Sequence, residues 1–267
     1  MKLTIIGFGH MGSAIIEGAL KAGVLSAEDV TVADSFEGCR KKAEALNVYA
    51  TSDNVEAVKN AEAVILAVKP SDLPELAAQI YPALPSSAIL VSICAGKRLD
   101  KLSEMFGTDA KIVRVMPNTP ALVGEGMSAL CANKNVTEAE LAGICGIFNS
   151  FGRTEVIDEM LFDTVTAVSG SGPAYVYAFI DALMNYAIEC GMSPEQGKIF
   201  AAQTVLGAAK MVMQSADSPQ KLKQSVCSPN GTTIEAIKVL DKKGFDSIIK
   251  DAAKACEERS RQIADGK

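Results

Sequence analysis

An α/β chain that turns all-helical partway along is the fold class this sequence predicts, and three observations carry it. Residues Leu3 to Gly12 (LTIIGFGHMG) form an apolar run that stops at a Gly7-x-Gly9-x-x-Gly12 turn and continues as a helical pattern. Short apolar runs then alternate with helical stretches to residue 157, the rhythm of a mostly parallel sheet wound with helices. From Glu159 strand signals stop and only helical patterns remain. We therefore expect a Rossmann-like, mostly parallel sheet domain over residues 1–158 and, with no long linker, a helical domain over 159–267.

Each fingerprint glycine has its own task. Gly7 permits the tight strand-to-helix turn, Gly9 lets the backbone approach a pyrophosphate, and Gly12 lets helix and strand pack closely. The helix that follows turns its free N–H groups and positive dipole end towards such a phosphate. His10 lies within this turn and reads as a phosphate-loop residue rather than a catalytic acid. The helix runs from Met11 to Ala22, with Met11, Ala14, Ile15 and Ala19 on one face and Gly23 as the stop.

The second strand is VTVAD, residues 30 to 34. Asp34 follows the last fingerprint glycine by about twenty residues, where a carboxylate accepts hydrogen bonds from adenosine ribose hydroxyls and repels a 2′-phosphate. That favours NADH. Arg40, Lys41 and Lys42 read either as a solvated helix face or as neutralisers of a 2′-phosphate. AVILAV (63–68) is a continuous apolar run of the kind that a parallel strand buried on both faces requires, and AILVSI (88–93) and KIVRVM (111–116) read as two further such strands. They end in Lys69-Pro70, with Ser71 expected to cap the next helix, in Cys94-Ala95-Gly96, and in Pro117-Asn118-Thr119-Pro120. Ligands bind at such carboxyl ends. Two more strands are expected at 126–132 and 152–157, flanking a helix at 137–150.

Composition excludes other classes of function. The chain has 267 residues, 48% of them hydrophobic, and a net charge of −6 with no basic stripe, which argues against nucleic acid as a partner. No apolar run reaches membrane-spanning length and the leading residues do not pattern as a signal peptide, so a cytoplasmic location and no membrane partner are expected. Seven scattered cysteines and a single histidine match no metal-ligand spacing, so the cysteines are expected as reduced thiols and no metal is expected.

In the helical part, Ser169 to Tyr175 (SGSGPAY) is expected to break the first helix. Ser193, Pro194 and Gln196 predict a capping box on the next helix, which is apolar over much of its circumference from Phe200 to Val212. About 110 helical residues alone form a thin core, so these helices are expected to pack on a second copy of the chain. The stretch CSPNGTTIEAI, Cys227 to Ile237, places a Pro229-Asn230-Gly231 turn before a helix start, with Thr232 to Glu235 expected as a second capping box. Converging N–H groups and two hydroxyls at such a start suit a carboxylate.

GFGHMG, AVKP (67–70), SICAG (92–96), RVMPNTP (114–120), VSGSGPAY (168–175) and SPNGTTIEA (228–236), in this order, resemble the pyrroline-5-carboxylate reductases, from residue 1 to about 260. The resemblance implies reduction of (S)-1-pyrroline-5-carboxylate by NAD(P)H to L-proline, the last step of proline biosynthesis, with NADPH the usual cofactor. It also implies an interlocked homodimer through the helical domain, assembled further in some members into a ring such as a decamer. Residue by residue, Gly7, Phe8, Gly9, His10, Met11 and Gly12 match the pyrophosphate loop, and Asn54 matches an asparagine near the adenosine. Ser35 is placed with Asp34. Ala67, Val68, Lys69 and Pro70 match the nicotinamide side, with Ala95 and Gly96 beside them. Val226, Ser228, Gly231, Thr232 and Thr233 match the loop and helix start that hold the substrate carboxylate, and Thr233 matches the threonine near the ring nitrogen. Two departures stand out: Asn230 where a glycine is common, and Asp34 where a small or polar residue is common in NADPH users.

The chemistry asks little of side-chain acids. A cyclic imine protonated on nitrogen accepts hydride readily, so positioning supplies most of the rate and the proton comes from solvent or arrives on the imine. A β-hydroxyacid dehydrogenase shares the two-domain plan but needs a lysine acid/base early in the second domain, and residues 159 to 190 contain none. A non-catalytic, redox-sensing dinucleotide-binding protein would keep the glycine turn yet have no use for the Thr232-Thr233 helix start.

Overall fold

The computed structural model describes residues 1–266; Lys267, the last residue of the expected helical domain, lies outside them. Eight strands form one sheet: β1 (Leu3–Ile6), β2 (Val30–Ala33), β3 (Tyr49–Thr51), β4 (Ala63–Leu66), β5 (Ile89–Ser92), β6 (Lys111–Met116), β7 (Gly126–Ala132) and β8 (Gly152–Val156). Their spatial order is β3-β2-β1-β4-β5-β6-β7-β8. Only the β6–β7 pair is antiparallel. The order reverses between β1 and β4, which opens a crevice at their carboxyl ends. The expected strands at 3–6, 111–116 and 126–132 appear with those bounds, and the others are shorter by one or two residues at an end. β3 was not expected: three residues at the sheet edge, with Tyr49 half-exposed, form no apolar run.

Six helices flank the sheet: α1 (His10–Lys21), α2 (Glu37–Glu44), α3 (Asn54–Val58), α4 (Leu73–Ile80), α5 (Leu99–Phe106) and α6 (Glu138–Asn149). Alternation along the strands sends Leu3, Ile5 and Ile65 to a core shared with Ile15 of α1 and Phe148 of α6. Ile6, Val64 and Leu66 go to a second core with Val58 of α3, Leu73 of α4 and Leu102 of α5. Thr4 is buried on that face, and its hydroxyl donates to the Ala57 carbonyl at 2.6 Å. The Ser71 cap does not form. Asp72 is the N-cap of α4, in helical backbone and with Pro74 in the first turn, and makes no side-chain cap bond; the Ser71 hydroxyl donates to its carboxylate at 2.7 Å.

Beyond the sheet come α7 (Phe162–Val165), α8 (Gly172–Glu189), α9 (Pro194–Gln214), α10 (Pro219–Ser225), α11 (Thr232–Lys242) and α12 (Phe245–Ala264). The expected break appears as a π-helical turn over Thr166–Gly170 just before α8. The Ser193–Gln196 capping box on α9 forms in both directions, at 3.2 and 3.0 Å. The chain falls into two compact units, Met1–Ser171 with the segment from Cys256 onward, and Gly172–Ala255. Two contacts tie residues 159–171 to the strands and helices of the sheet unit. Glu159 accepts from the Arg114 guanidinium at 2.9 Å and from the Leu99 N–H at 2.8 Å, and Phe162 is 1% exposed beneath that guanidinium. The end of α12 joins them: Ser260 donates to Asp163 at 2.6 Å and Arg98 sits 3.6 Å from Asp265. Among the described residues, no helix is long and apolar enough to cross a membrane.

Candidate active site

In the sheet unit, the carboxyl ends of β1, β2 and β4 frame a groove of about 670 Å³. Of the residues expected to hold cofactor, Gly7, Gly9, Asp34, Ser35, Asn54, Ala67, Val68 and Lys69 line it. Phe8, His10, Met11, Gly12, Pro70, Ala95 and Gly96 do not: Phe8 and Gly12 are buried behind the turn, and His10 is exposed as the first residue of α1. Gly96 packs against the end of α12, where a Cβ would come 2.8 Å from Ile263.

The glycine turn is held by Gly7 N–H donating to Ala33 O at 2.8 Å. A Cβ on Gly7, at φ +97°, would lie 2.5 Å from the Ala67 carbonyl oxygen, and one on Gly12 would lie 2.2 Å from the Gly7 oxygen. A Cβ on Gly9 would meet nothing within 4 Å. Two glycines thus bring strand and helix together while the third faces open space, and α1 starts with no side-chain cap. That arrangement fits a pyrophosphate against free N–H groups.

Asp34 is fixed in place. One carboxylate oxygen accepts the Phe8 N–H at 2.6 Å and the other the Phe36 N–H at 2.8 Å. The same carboxylate therefore joins the glycine turn to the start of α2. Arg40 Nη1 donates to the Asp34 and Ser35 carbonyls at 2.8 and 2.9 Å, and Lys41 pairs with Glu37 at 2.8 Å. Asp72 and Glu75 add two carboxyl groups to the lining against the single ammonium of Lys69. Asn54 Nδ2 donates to Gln79 Oε1 at 3.0 Å across from α4. Sequence reading did not single out Phe36, Asp72, Glu75, Leu76 or Gln79. Four of the five lie on α4 or at its N-cap, where Leu76 belongs to the helix's apolar face and the polar three to its other side, so none stands out; Phe36 carried a signal, an aromatic at a helix start.

Below the groove, Cys94 at the end of β5 is buried against the Leu66 and Val68 carbonyls, and burial pushes its thiol up to about 11. A thiol so placed stays protonated at neutral pH.

In the helical unit, Val226, Ser228, Gly231, Thr232 and Thr233 lie together on the turn before α11 and on its first residues. Asn230 adopts φ +58°, the left-handed conformation that asparagine tolerates, so the turn survives without the more common glycine. Gly231 N–H donates to Ser228 O at 3.0 Å, and a Cβ on Gly231 would strike the Ser228 hydroxyl at 2.4 Å. The expected Thr232–Glu235 capping box is absent. Gly231 is the N-cap and has no side chain with which to cap, while Glu235 pairs with Lys238 at 2.7 Å. The result leaves the first-turn N–H groups without a side-chain cap, and Thr232 and Thr233 are exposed beside them.

Comparison with known proteins agrees along the whole chain. A family model described as "Pyrroline-5-carboxylate reductase dimerisation" matches residues 159–263, and one described as "NADP oxidoreductase coenzyme F420-dependent" matches residues 2–96. The chain is 40% identical to the pyrroline-5-carboxylate reductase of Escherichia coli (strain K12) over 98% of both proteins. It is 38% identical to that of Glycine max over 98% of this chain and 96% of that one. The crystal structure of Plasmodium falciparum pyrroline carboxylate reductase with NADP bound superposes with a TM-score of 0.91 at 37% identity, covering 99% of this chain and 98% of that one.

Proposed function

The chain belongs to the pyrroline-5-carboxylate reductase family, and from that membership we propose that it reduces (S)-1-pyrroline-5-carboxylate to L-proline, the last step of proline biosynthesis. The observation that carries the reading is that one chain holds both a built dinucleotide groove in its sheet unit and, in its helical unit, an uncapped helix start bearing two exposed threonines. A bound reduced nicotinamide supplies the hydride. The chain's part is to bind and orient. Gly7 to Gly12 and the start of α1 take the pyrophosphate; Asp34 and Ser35 take the adenosine ribose, with Asn54 near the adenosine; Ala67 to Pro70, with Ala95 and Gly96, form the nicotinamide side. The N–H groups of residues 231–233, beside Val226 and Ser228, bind the substrate carboxylate without a charged side chain. The Thr233 hydroxyl oxygen accepts the N–H of the protonated ring nitrogen and so holds the proton at that atom. Positive character then gathers on the C=N carbon, which is where hydride adds.

NADH is the cofactor we assign. The Plasmodium relative holds NADP, but here Asp34, Asp72 and Glu75 face one lysine in the groove, and Arg40 is drawn onto backbone carbonyls. A 2′-phosphate carrying about −1.5 to −2 charges meets repulsion in such a lining.

A homodimer through the helical domain, residues 159–267, completes the proposal. The dimerisation family model begins at residue 159, which supports the boundary at 158. Tyr177, Tyr186, Ile199, Phe200, Met211 and Met213 stand 58 to 67% exposed on α8 and α9, more apolar surface than a lone chain leaves in water. A ring of such dimers, such as a decamer, is the larger form, and a cytoplasmic location goes with seven free cysteines among the described residues. Mixing the purified protein with pyrroline-5-carboxylate and either reduced cofactor, while following nicotinamide absorbance, tests the assignment. NADH oxidation faster than NADPH oxidation is expected. No oxidation with either cofactor would leave the redox-sensing, non-catalytic reading instead.

A further inference from the structure

Six phenylalanines lie in the sheet unit, and five of them, Phe8, Phe106, Phe148, Phe151 and Phe162, are 3% exposed or less. The sixth, Phe36, is 68% exposed. It lines the cofactor groove next to Asp34 and Ser35. It also occupies the N-cap of α2, with no side-chain cap bond, a position where serine, threonine, aspartate or asparagine stabilises a helix and a large apolar residue gives that contribution up. A local rule broken at an exposed site, with no packing gain to offset it, marks function more often than folding.

The surroundings say what the ring is for. Its own N–H is clamped by Asp34 Oδ1 at 2.8 Å. A Cβ on Gly38 would strike Phe36 Cε1 at 2.6 Å, so the edge of the ring rests on the bare backbone of α2 and not on another side chain. Asp34 and Phe36 are thus fixed together, two residues apart, by a single carboxylate. An adenosine whose ribose hydroxyls bond to Asp34 has its base one ring-width away, and the aromatic surface nearest that carboxylate in the groove is Phe36.

We propose that Phe36 is the stacking platform for the adenine of the dinucleotide, so that affinity for the adenosine end comes from an aromatic face and the Asp34 carboxylate rather than from a cation. The inference rests on the dinucleotide reading of the groove. It also accounts for the helix start: an apolar N-cap is kept because the ring is needed above the groove, and the Asp34 carboxylate holds the Phe36 N–H at that helix start.

ADP-ribose, which has the adenosine and pyrophosphate but no nicotinamide, is the probe, titrated calorimetrically into the full-length protein with no turnover required. Phe36→Ala is expected to weaken ADP-ribose roughly tenfold, in keeping with the energy of base stacking on aromatic side chains. Phe36→Tyr is expected to bind as wild type, and Phe36→Leu, apolar but without a π face, to fall close to the alanine variant. Because the ring is mostly exposed, the thermal midpoints of all three variants should stay near that of wild type. Equal affinity in wild type, Phe36→Ala and Phe36→Leu overturns the stacking role while leaving the groove as a nucleotide site. Absence of ADP-ribose binding to the wild-type protein overturns the dinucleotide reading itself.

Discussion

At the end of β2 the Asp34 carboxylate takes N–H groups from Phe8 and Phe36 at 2.6 and 2.8 Å, and the neighbouring glycine turn is closed by Gly7 bonding to Ala33. At the start of α11 no side chain caps the helix, and Thr232 and Thr233 are exposed. Both places offer helix N–H groups to an anion. The first is rigid and backed by two buried cores, so its shape exists before any ligand arrives. The second is held mainly by one tight turn at Ser228–Gly231. In the proposed site, preorganisation would belong to the groove at β2, and the α11 start would supply donors whose partner is the substrate carboxylate.

The sharpest way to break that comparison is Gly7→Ala. At φ +97° with the Ala67 oxygen 2.5 Å from the new Cβ, strain of about 1–2 kcal/mol from the left-handed backbone adds to an outright collision. We expect ADP-ribose binding to be lost and the thermal midpoint to fall by several degrees; retention of both would mean that the turn is not rigid.

Thr233→Ala is next in size. Loss of a hydrogen bond to a charged nitrogen costs roughly 1.5 to 3 kcal/mol, so kcat/KM for pyrroline-5-carboxylate should drop about ten- to hundredfold with ADP-ribose affinity unchanged. Wild-type kinetics in this variant would remove Thr233 from the site.

Asp34→Asn places an NH₂ group against one of the two N–H donors that the carboxylate now satisfies. A fall in NADH affinity of roughly tenfold and a shift of the NADPH to NADH rate ratio towards NADPH are expected. An unchanged ratio would show that Asp72 and Glu75 set the preference.

The smallest effects concern the scaffold. Lys111, hydrogen-bonded to Glu140, holds that carboxyl down at about 2, helped by the Thr137 N–H. A carboxyl whose value is depressed by folding stabilises the native state above its unfolded value and loses that contribution as pH falls through the folded one. Acid unfolding of wild type should therefore steepen between about pH 4.5 and pH 2, and Glu140→Gln should flatten that limb slightly. Iodoacetamide at about pH 8 should label Cys190, which is exposed, and spare Cys94 and Cys131, whose thiols burial pushes up to about 11 and about 12; peptide mass spectrometry reads the pattern.

How much of this was legible beforehand follows the same divide. An unbroken apolar run such as AVILAV maps onto the buried parallel strand β4 because a strand covered on both faces tolerates no polar alternation. The three-residue edge strand β3 carries no such constraint and left no trace. The Ser193 capping box was readable since Ser, Pro and Gln each suit one position of a helix start. Thr232–Glu235 has the same spacing yet forms no box, because Gly231 in extended backbone takes the N-cap and moves Thr232 inside the helix. Spacing alone does not say which residue is the cap. Likewise Asp34 was expected to serve a ribose, and its bond to the Phe8 N–H came only with the third dimension, since it joins residues 26 apart.

Transfer of the label itself tests the central claim most directly. With NADH carrying deuterium in the transferable position, wild-type protein and pyrroline-5-carboxylate should yield proline bearing a single deuterium on the ring carbon next to nitrogen and remote from the carboxylate. Absence of proline, or proline without the label, would contradict it.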